Sequence, residues 1–241
     1  MLLFSNKRMN TLMKIVLLLI ANDGVAEPTS VALDVGHGLL NVGAISARGF
    51  TEFDYNRNLA GQVSAALKNH HLKVREINFD GKITRLAERP AQAVGHDFFI
   101  SLHHDSINED YLQPWIWNGE IQSHTEAKRG FGIFVSSNNP DLQTSLRCAS
   151  SMGKALRQSG FQPTPWHARK HREADAENGV WFFDNLFVLQ RTTLPAVLFE
   201  AGVIKHREEE LELLNPQRQA LMAEALARGI AACLPANKPT L

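Results

Sequence analysis

Cysteine is nearly missing from this chain: 241 residues contain two, Cys148 and Cys233. So few thiols exclude both a clustered-Cys structural zinc module and a dense disulfide scaffold. Neither sign of charge is in surplus, with 25 Lys and Arg against 25 Asp and Glu, so the net balance gives no argument for a nucleic-acid partner. Repeats, low-complexity tracts and a linker to a second domain are missing too. No apolar run reaches the roughly 20 residues that span a bilayer, so no segment reads as a membrane-spanning helix. What remains is an ordinary globular composition, 44% hydrophobic and 21% charged, on a length that can bury a sizeable core.

The first residues read differently from the rest. Lys7, Arg8 and Lys14 precede the apolar run from Ile15 to Ala21, and the small residues Gly24, Val25 and Ala26 follow, ahead of Glu27-Pro28. A basic segment, a short apolar stretch and a small-residue cleavage site together predict a secretory signal peptide over 1–26. A start at Met9 or Met13 would make that signal more compact. Residues 27–241 are then one exported domain with no membrane anchor in the mature form. In an oxidising compartment a disulfide is allowed. Both cysteines fall in segments that read as helices, and the sequence leaves open a bridge or two buried thiols.

Past the leader, strand-like and helix-like segments alternate. Val31-Ala32-Leu33, Leu72 to Ile77, Asp97 to His103, Phe131 to Val135 and Pro195 to Glu200 read as strands. Tyr55 to Asn69, a short piece at Pro90 to Val94, Leu142 to Leu156 and Gln217 to Cys233 read as helices, with Asp54 as the expected cap of the first. Near-continuous apolar strands alternating with helices predict an α/β fold: a single domain with a twisted, mostly parallel central sheet flanked by helices on both faces. Two stretches, 105–129 and 163–178, lack periodicity and are long enough to be functional loops.

Ligands of such sheets bind beyond the carboxyl ends of the strands. Three chemistry-bearing residues fall there: His37 in Asp34-Val35-Gly36-His37-Gly38, His103 in Ser101-Leu102-His103-His104, and Glu200 in Leu198-Phe199-Glu200-Ala201-Gly202. Glu52 precedes the first helix. Taken singly, His37 reads as a turn histidine, Glu52 as a helix-entry carboxylate and Glu200 as a paired structural acid. Taken together they supply two imidazoles, one carboxylate and a separate free carboxylate, the parts of a hydrolytic zinc site. Strand alternation lets only one of His103 and His104 face that site. His70, His71, His96 and His206 read as solvent-facing, Glu208-Glu209-Glu210 as a solvated face, and Trp115 with Trp117 as packing in an edge strand, with stacking on a sugar as the alternative.

From about Val31 to Leu234 these motifs, in this order, resemble the zinc-dependent N-acetylmuramoyl-L-alanine amidases of the type 3 cell-wall family. The resemblance places the first zinc histidine at His37, the acidic ligand at Glu52, the second histidine at His103 rather than His104, and the catalytic glutamate at Glu200, in Pro195-Ala196-Val197-Leu198-Phe199-Glu200. It also aligns a Thr-Arg pair with Thr84-Arg85. The chain departs from the family at His104-Asp105-Ser106, where Ala-Asn-Ala is usual, and at Val188-Leu189-Gln190, where a Val-Leu-Arg strand is usual and Arg191 falls one place late. His104 and Asp105 are candidates to tune the site from behind. His167 and Glu173 are candidates to approach the metal, in a stretch too short and polar to resemble the helical plug of some relatives.

The resemblance implies one Zn2+ per chain, a peptidoglycan substrate, a periplasmic or cell-wall location, and cleavage between the lactyl group of N-acetylmuramic acid and L-alanine. It names no activating partner. A deacetylase or carboxypeptidase on the same polymer, or a catalytically silent wall-binding module, stand as alternatives.

Overall fold

A computed structural model of the chain describes residues 27–235, so the signal-peptide expectation over 1–26 lies outside the described residues. Among those described, no helix is long and apolar enough to cross a membrane. The described residues form nine strands and six α-helices: β1 (Ser30–Val35), α1 (Glu52–Asn69), β2 (Lys73–Ile77), α2 (Glu88–Ala93), β3 (Phe98–Asp105), β4 (Gln113–Trp117), β5 (Glu120–His124), β6 (Gly132–Val135), α3 (Leu142–Gln158), β7 (Arg172–Asp175), β8 (Val180–Phe182), α4 (Phe187–Arg191), β9 (Ala196–Val203), α5 (Arg207–Leu214) and α6 (Pro216–Cys233). Seven strands form one sheet in the order β2-β1-β3-β9-β6-β8-β7. Neighbours from β2 to β9 run parallel, as do β6 and β8, whereas β6 meets β9 and β7 meets β8 antiparallel. The mostly parallel sheet matches the expected fold class.

The pleat sorts the side chains into two layers. Val31, Leu33, Ile100, Leu102, Ile133, Val197 and Phe199 point to the face covered by α1, α3 and α6, where Leu59, Val63, Met152, Leu156, Leu226 and Ile230 complete the larger core. Ala32, Phe99, Phe134, Ala196 and Leu198 point the other way, against Ala93 of α2 and Val188 and Leu189 of α4. Period-two alternation on buried strands therefore feeds both cores at once.

Local chemistry sets the element ends. Thr51 caps α1, its hydroxyl accepting from the Asp54 amide at 3.2 Å, so the cap lies three residues before the expected Asp54 and Glu52 becomes the first helical residue. The Val188-Leu189-Gln190 run forms the short helix α4, not a strand, and Arg191 at its end lies over the Phe187 ring. Trp115 and Trp117 stack on each other at 5.4 Å in the β4–β5 hairpin under the Arg48 guanidinium, which favours the packing reading.

Two expectations of solvent exposure are corrected. Glu209 and Glu210 are 1% and 0% exposed. Glu209 accepts from the amides of Gly130 and Val203, and Glu210 is held by Arg48 at 2.7 Å and by the hydroxyls of Ser46 and Tyr55. His206 is likewise buried, because its ring caps α5.

Cys148 of α3 and Cys233 of α6 form a disulfide with Cα atoms 5.1 Å apart, which settles the open pairing and closes a loop of 85 residues. Removing a native bridge of this kind typically costs about 2–4 kcal/mol. A Cys148→Ser/Cys233→Ser double variant should unfold roughly 5–15 °C lower by calorimetry. An unchanged midpoint would show that the bridge adds nothing to the α3–α6 contact.

Candidate metal centre

The turn after β1 is tied down before any ligand is placed. The Gly36 amide extends the ladder by donating to the Leu102 carbonyl at 2.9 Å, and His37 then takes a left-handed backbone, φ 64°. Asn78 donates its side-chain amide to the carbonyls of Val35 (2.8 Å) and His37 (2.5 Å), and the Arg89 guanidinium also donates to the His37 carbonyl. Arg89 is 3% exposed and faces the buried Asp34 carboxylate, which also accepts from the Ser101 hydroxyl at 2.7 Å. Burial pushes the Asp34 carboxyl up in pKa, against the pull of Arg89 and Ser101. Arg85 of the expected Thr-Arg pair lies instead on the surface beside Glu88.

Glu52, on the first turn of α1, sits between two imidazoles. One carboxylate oxygen lies 3.1 Å from His37 Nε2 and the other 3.0 Å from His103 Nδ1. The Ala44 amide and the Asn56 side chain donate to the same carboxylate, at 3.1 and 3.3 Å. Burial alone would raise its pKa, but the hydrogen bonds and charges of His103 and His37 outweigh that and hold it well below the usual carboxylate range. One nitrogen or oxygen from each of His37, Glu52 and His103 lies within 4.8 Å of the other two, a group that could hold a metal ion. The His103 ring lies against Gly36, where a Cβ would come within 2.6 Å of three of its atoms.

His104 faces the opposite side of the sheet. It is 2% exposed, its Nδ1 meets Asn56 Oδ1 at 2.8 Å, and its ring lies 5.4 Å from Tyr55. Burial pushes its pKa down to about 3, so it is a neutral ring bracing Asn56, which in turn holds Glu52.

Glu200 pairs in register with His103 on one side and with Gly132 on the other. Paired residues of adjacent strands present their side chains to the same face, so Glu200 stands beside His103. Its Oε2 is buried with no hydrogen-bond partner among the described residues. Burial, then the charges of Asp105 and Glu52, raise its pKa well above the carboxylate range, with Lys128 opposing. The site spans two cavities. One, about 300 Å³, is walled by His37, His103 and apolar side chains including Ile83, Leu186 and Phe187. The other, about 410 Å³, holds Glu200, Asp105, Lys128 and His167.

Asp105 meets the Lys128 ammonium and, at 3.2 Å, His167 Nε2. Burial works to raise its pKa, but His167 and Lys128 outweigh it and hold it down. Glu173 lies exposed on β7. Sequence reasoning missed Asn56, Asn78, Arg89 and Lys128. Only Asn56 carried a signal, one helical turn after Glu52.

The family model described as N-acetylmuramoyl-L-alanine amidase matches residues 31–232. Among solved structures, the chain is similar to the Ami1 amidase of Mycobacterium smegmatis (20% identity, TM-score 0.69, covering 86% of this chain and 97% of that one). It is also similar to the N-acetylmuramoyl-L-alanine amidase of Clostridium difficile 630 (19%, TM-score 0.67, 86% and 97%). A third similar structure is the CwlV catalytic domain of Bacillus (Paenibacillus) polymyxa (22%, TM-score 0.62, 85% and 97%). No curated protein sequence matches.

Outer partners of a metal ligand are typically worth about 10–100-fold in metal affinity. If the group holds a metal, Asn56→Ala should weaken its binding by about that factor in chelator competition while α1 stays helical by circular dichroism. Undiminished affinity would show that Glu52 is held without Asn56.

Proposed function

Since the chain belongs to the N-acetylmuramoyl-L-alanine amidase family, we propose that it is an exported, zinc-dependent peptidoglycan hydrolase. It cleaves the amide between the lactyl group of N-acetylmuramic acid and the L-alanine of the stem peptide. The observation that carries this reading is the His37–Glu52–His103 group, within 4.8 Å, beside Glu200 on the next strand.

The donor set fits the ion. Two imidazole nitrogens and one carboxylate oxygen are the ligand types of catalytic zinc, at about 2.0–2.2 Å from the metal, and a three-ligand site keeps a position open. Zinc held there would polarise the scissile carbonyl and make water a competent nucleophile near neutral pH. The chain's own residues do the rest. Glu200 takes the proton of the attacking water as general base, and the leaving amine gains a proton as it departs. A base of this kind is typically worth about 10²–10⁴-fold. Burial first, then the nearby acids, raise its pKa, which makes the ionised carboxylate a stronger proton acceptor. The two cavities give the substrate a course across the site, its scissile bond at the seam where His103 faces one cavity and Glu200 the other. The Cys148–Cys233 disulfide agrees with an exported protein.

Glu200→Gln should keep zinc and lose about 10²-fold or more of stem-peptide release from sacculi. His37→Ala and His103→Ala should lose the metal, measured by emission spectroscopy after dialysis. Mass spectrometry of the digest should show free stem peptides. Released acetate or D-alanine would instead identify a deacetylase or carboxypeptidase, and binding to sacculi without any product would identify a silent module.

A further inference from the structure

His167 stands on the far side of Glu200 from His103. Gly132 of β6 is the residue directly opposite Glu200 of β9, so a side chain at 132 would share Glu200's face of the sheet. None is there, and the space is taken from above: His167 Nε2 lies 2.6 Å from where a Gly132 Cβ would stand. Directly opposed Cβ positions lie about 4.5–5.5 Å apart. His167 and Glu200 therefore stand over neighbouring strands and line one cavity.

The ring is held firmly. His167 is 5% exposed, packs edge-on to Phe134 at 4.7 Å, and sits in the tight 165–169 turn capped by the Thr164 hydroxyl. Asp105 Oδ2 lies 3.2 Å from Nε2. Yet Nε2 completes no aligned hydrogen bond among the described residues, and neither does Glu200 Oε2. Both atoms belong to residues lining one cavity, where a polar substrate group can complete the bonding of Glu200 Oε2 and meet the ion-paired Nε2.

We propose that His167 is a further catalytic residue, the acid that protonates the departing amine nitrogen. The inference rests on the amidase reading above and on Glu200 as the base. Water gives a proton to Glu200 as its oxygen bonds to the carbonyl carbon. The C–N bond then breaks with its electron pair on nitrogen, and nitrogen takes the Nε2 proton of protonated His167, whose charge is paired with Asp105. The proton on Glu200 passes to His167, which restores both groups after one water is consumed.

The test varies the leaving group. Two substrates share the N-acetylmuramoyl acyl group: the natural L-alanyl amide, and a 4-nitrophenyl ester whose leaving oxygen needs no proton. His167→Ala and His167→Gln should each lose about 10²–10⁴-fold in kcat on the amide and less than about threefold on the ester. Both should keep the wild-type zinc content. The Gln variant retains an N–H that can donate a hydrogen bond but cannot transfer its proton, so full activity with Gln on the amide would overturn the proposal. Equal losses on amide and ester would also overturn it, because a structural role lowers both. Glu200→Gln should lose both substrates; if it stays active on the ester, the reading of Glu200 fails, and the His167 result still stands as its own measurement.

Discussion

A carboxylate that is 5% exposed must have its charge met on every side, and Glu52 is the point where that demand organises the molecule. It accepts from a backbone amide and a helix side chain and lies against imidazoles from two different strand ends. The helix N-terminus adds its own favourable field. Leaving such a charge unpaired costs several kcal/mol, so the turn after β1, the end of β3 and the first turn of α1 hold one arrangement. What fixes that arrangement lies further down the helix, in Leu59, Val63 and Leu67, whose burial under the sheet sets where Glu52 can reach.

The pleat of β3 then does two jobs with alternating residues. Leu102 and His104 point toward α1, where His104 braces Asn56 behind Glu52, while Ser101 and His103 point toward the site. Parallel register with β9 carries the second function across, since the residue opposite His103 is Glu200. Two glycines open the room this needs. Gly36 lets the His103 ring lie against the backbone of the first strand, and Gly132 admits His167 over the sixth. A β-carbon at either position would collide with an imidazole, so the spacing of the site depends on two residues that contribute no side chain to it.

This logic also separates what was legible in the sequence from what was not. Strand and helix placement followed from hydrophobic period, and His37, His103 and Glu200 stood at strand ends where sheet topology puts ligands. Alternation allowed only one of the double histidine to face the site without saying which, and the structure places His103 and His104 on opposite faces. Glu209, Glu210 and His206 misled because their partners are remote: Gly130 is 79 residues before Glu209, and Arg48 is 162 before Glu210. A run of charges looks solvated until the fold supplies the groups that neutralise it. Val188-Leu189 misled for a different reason: the strand there was carried over from the family resemblance, and the run forms one turn of helix instead. His167 lay in a stretch whose shape comes from a capped turn and contacts to Phe134 and Asp105, none of which leaves a periodic trace.

The departure at Asp105 gains meaning from this geometry. A second carboxylate close to Glu200 is an electrostatic burden, and two like charges in one buried cavity push each other's protonation. Here the burden is unevenly shared. Lys128 and His167 both face Asp105 and hold it ionised against burial, whereas Glu200 has no ion-pair partner among the described residues and is raised by the same burial and by Asp105 itself. Neighbouring acids whose surroundings drive their pKa values apart take different tasks. On the proposed mechanism Asp105 is a fixed charge that orients a cation and an imidazole, and Glu200 is the group whose proton moves. The cluster on 105, 128 and 167 therefore belongs with the metal group as the other half of one site, with Glu200 between them.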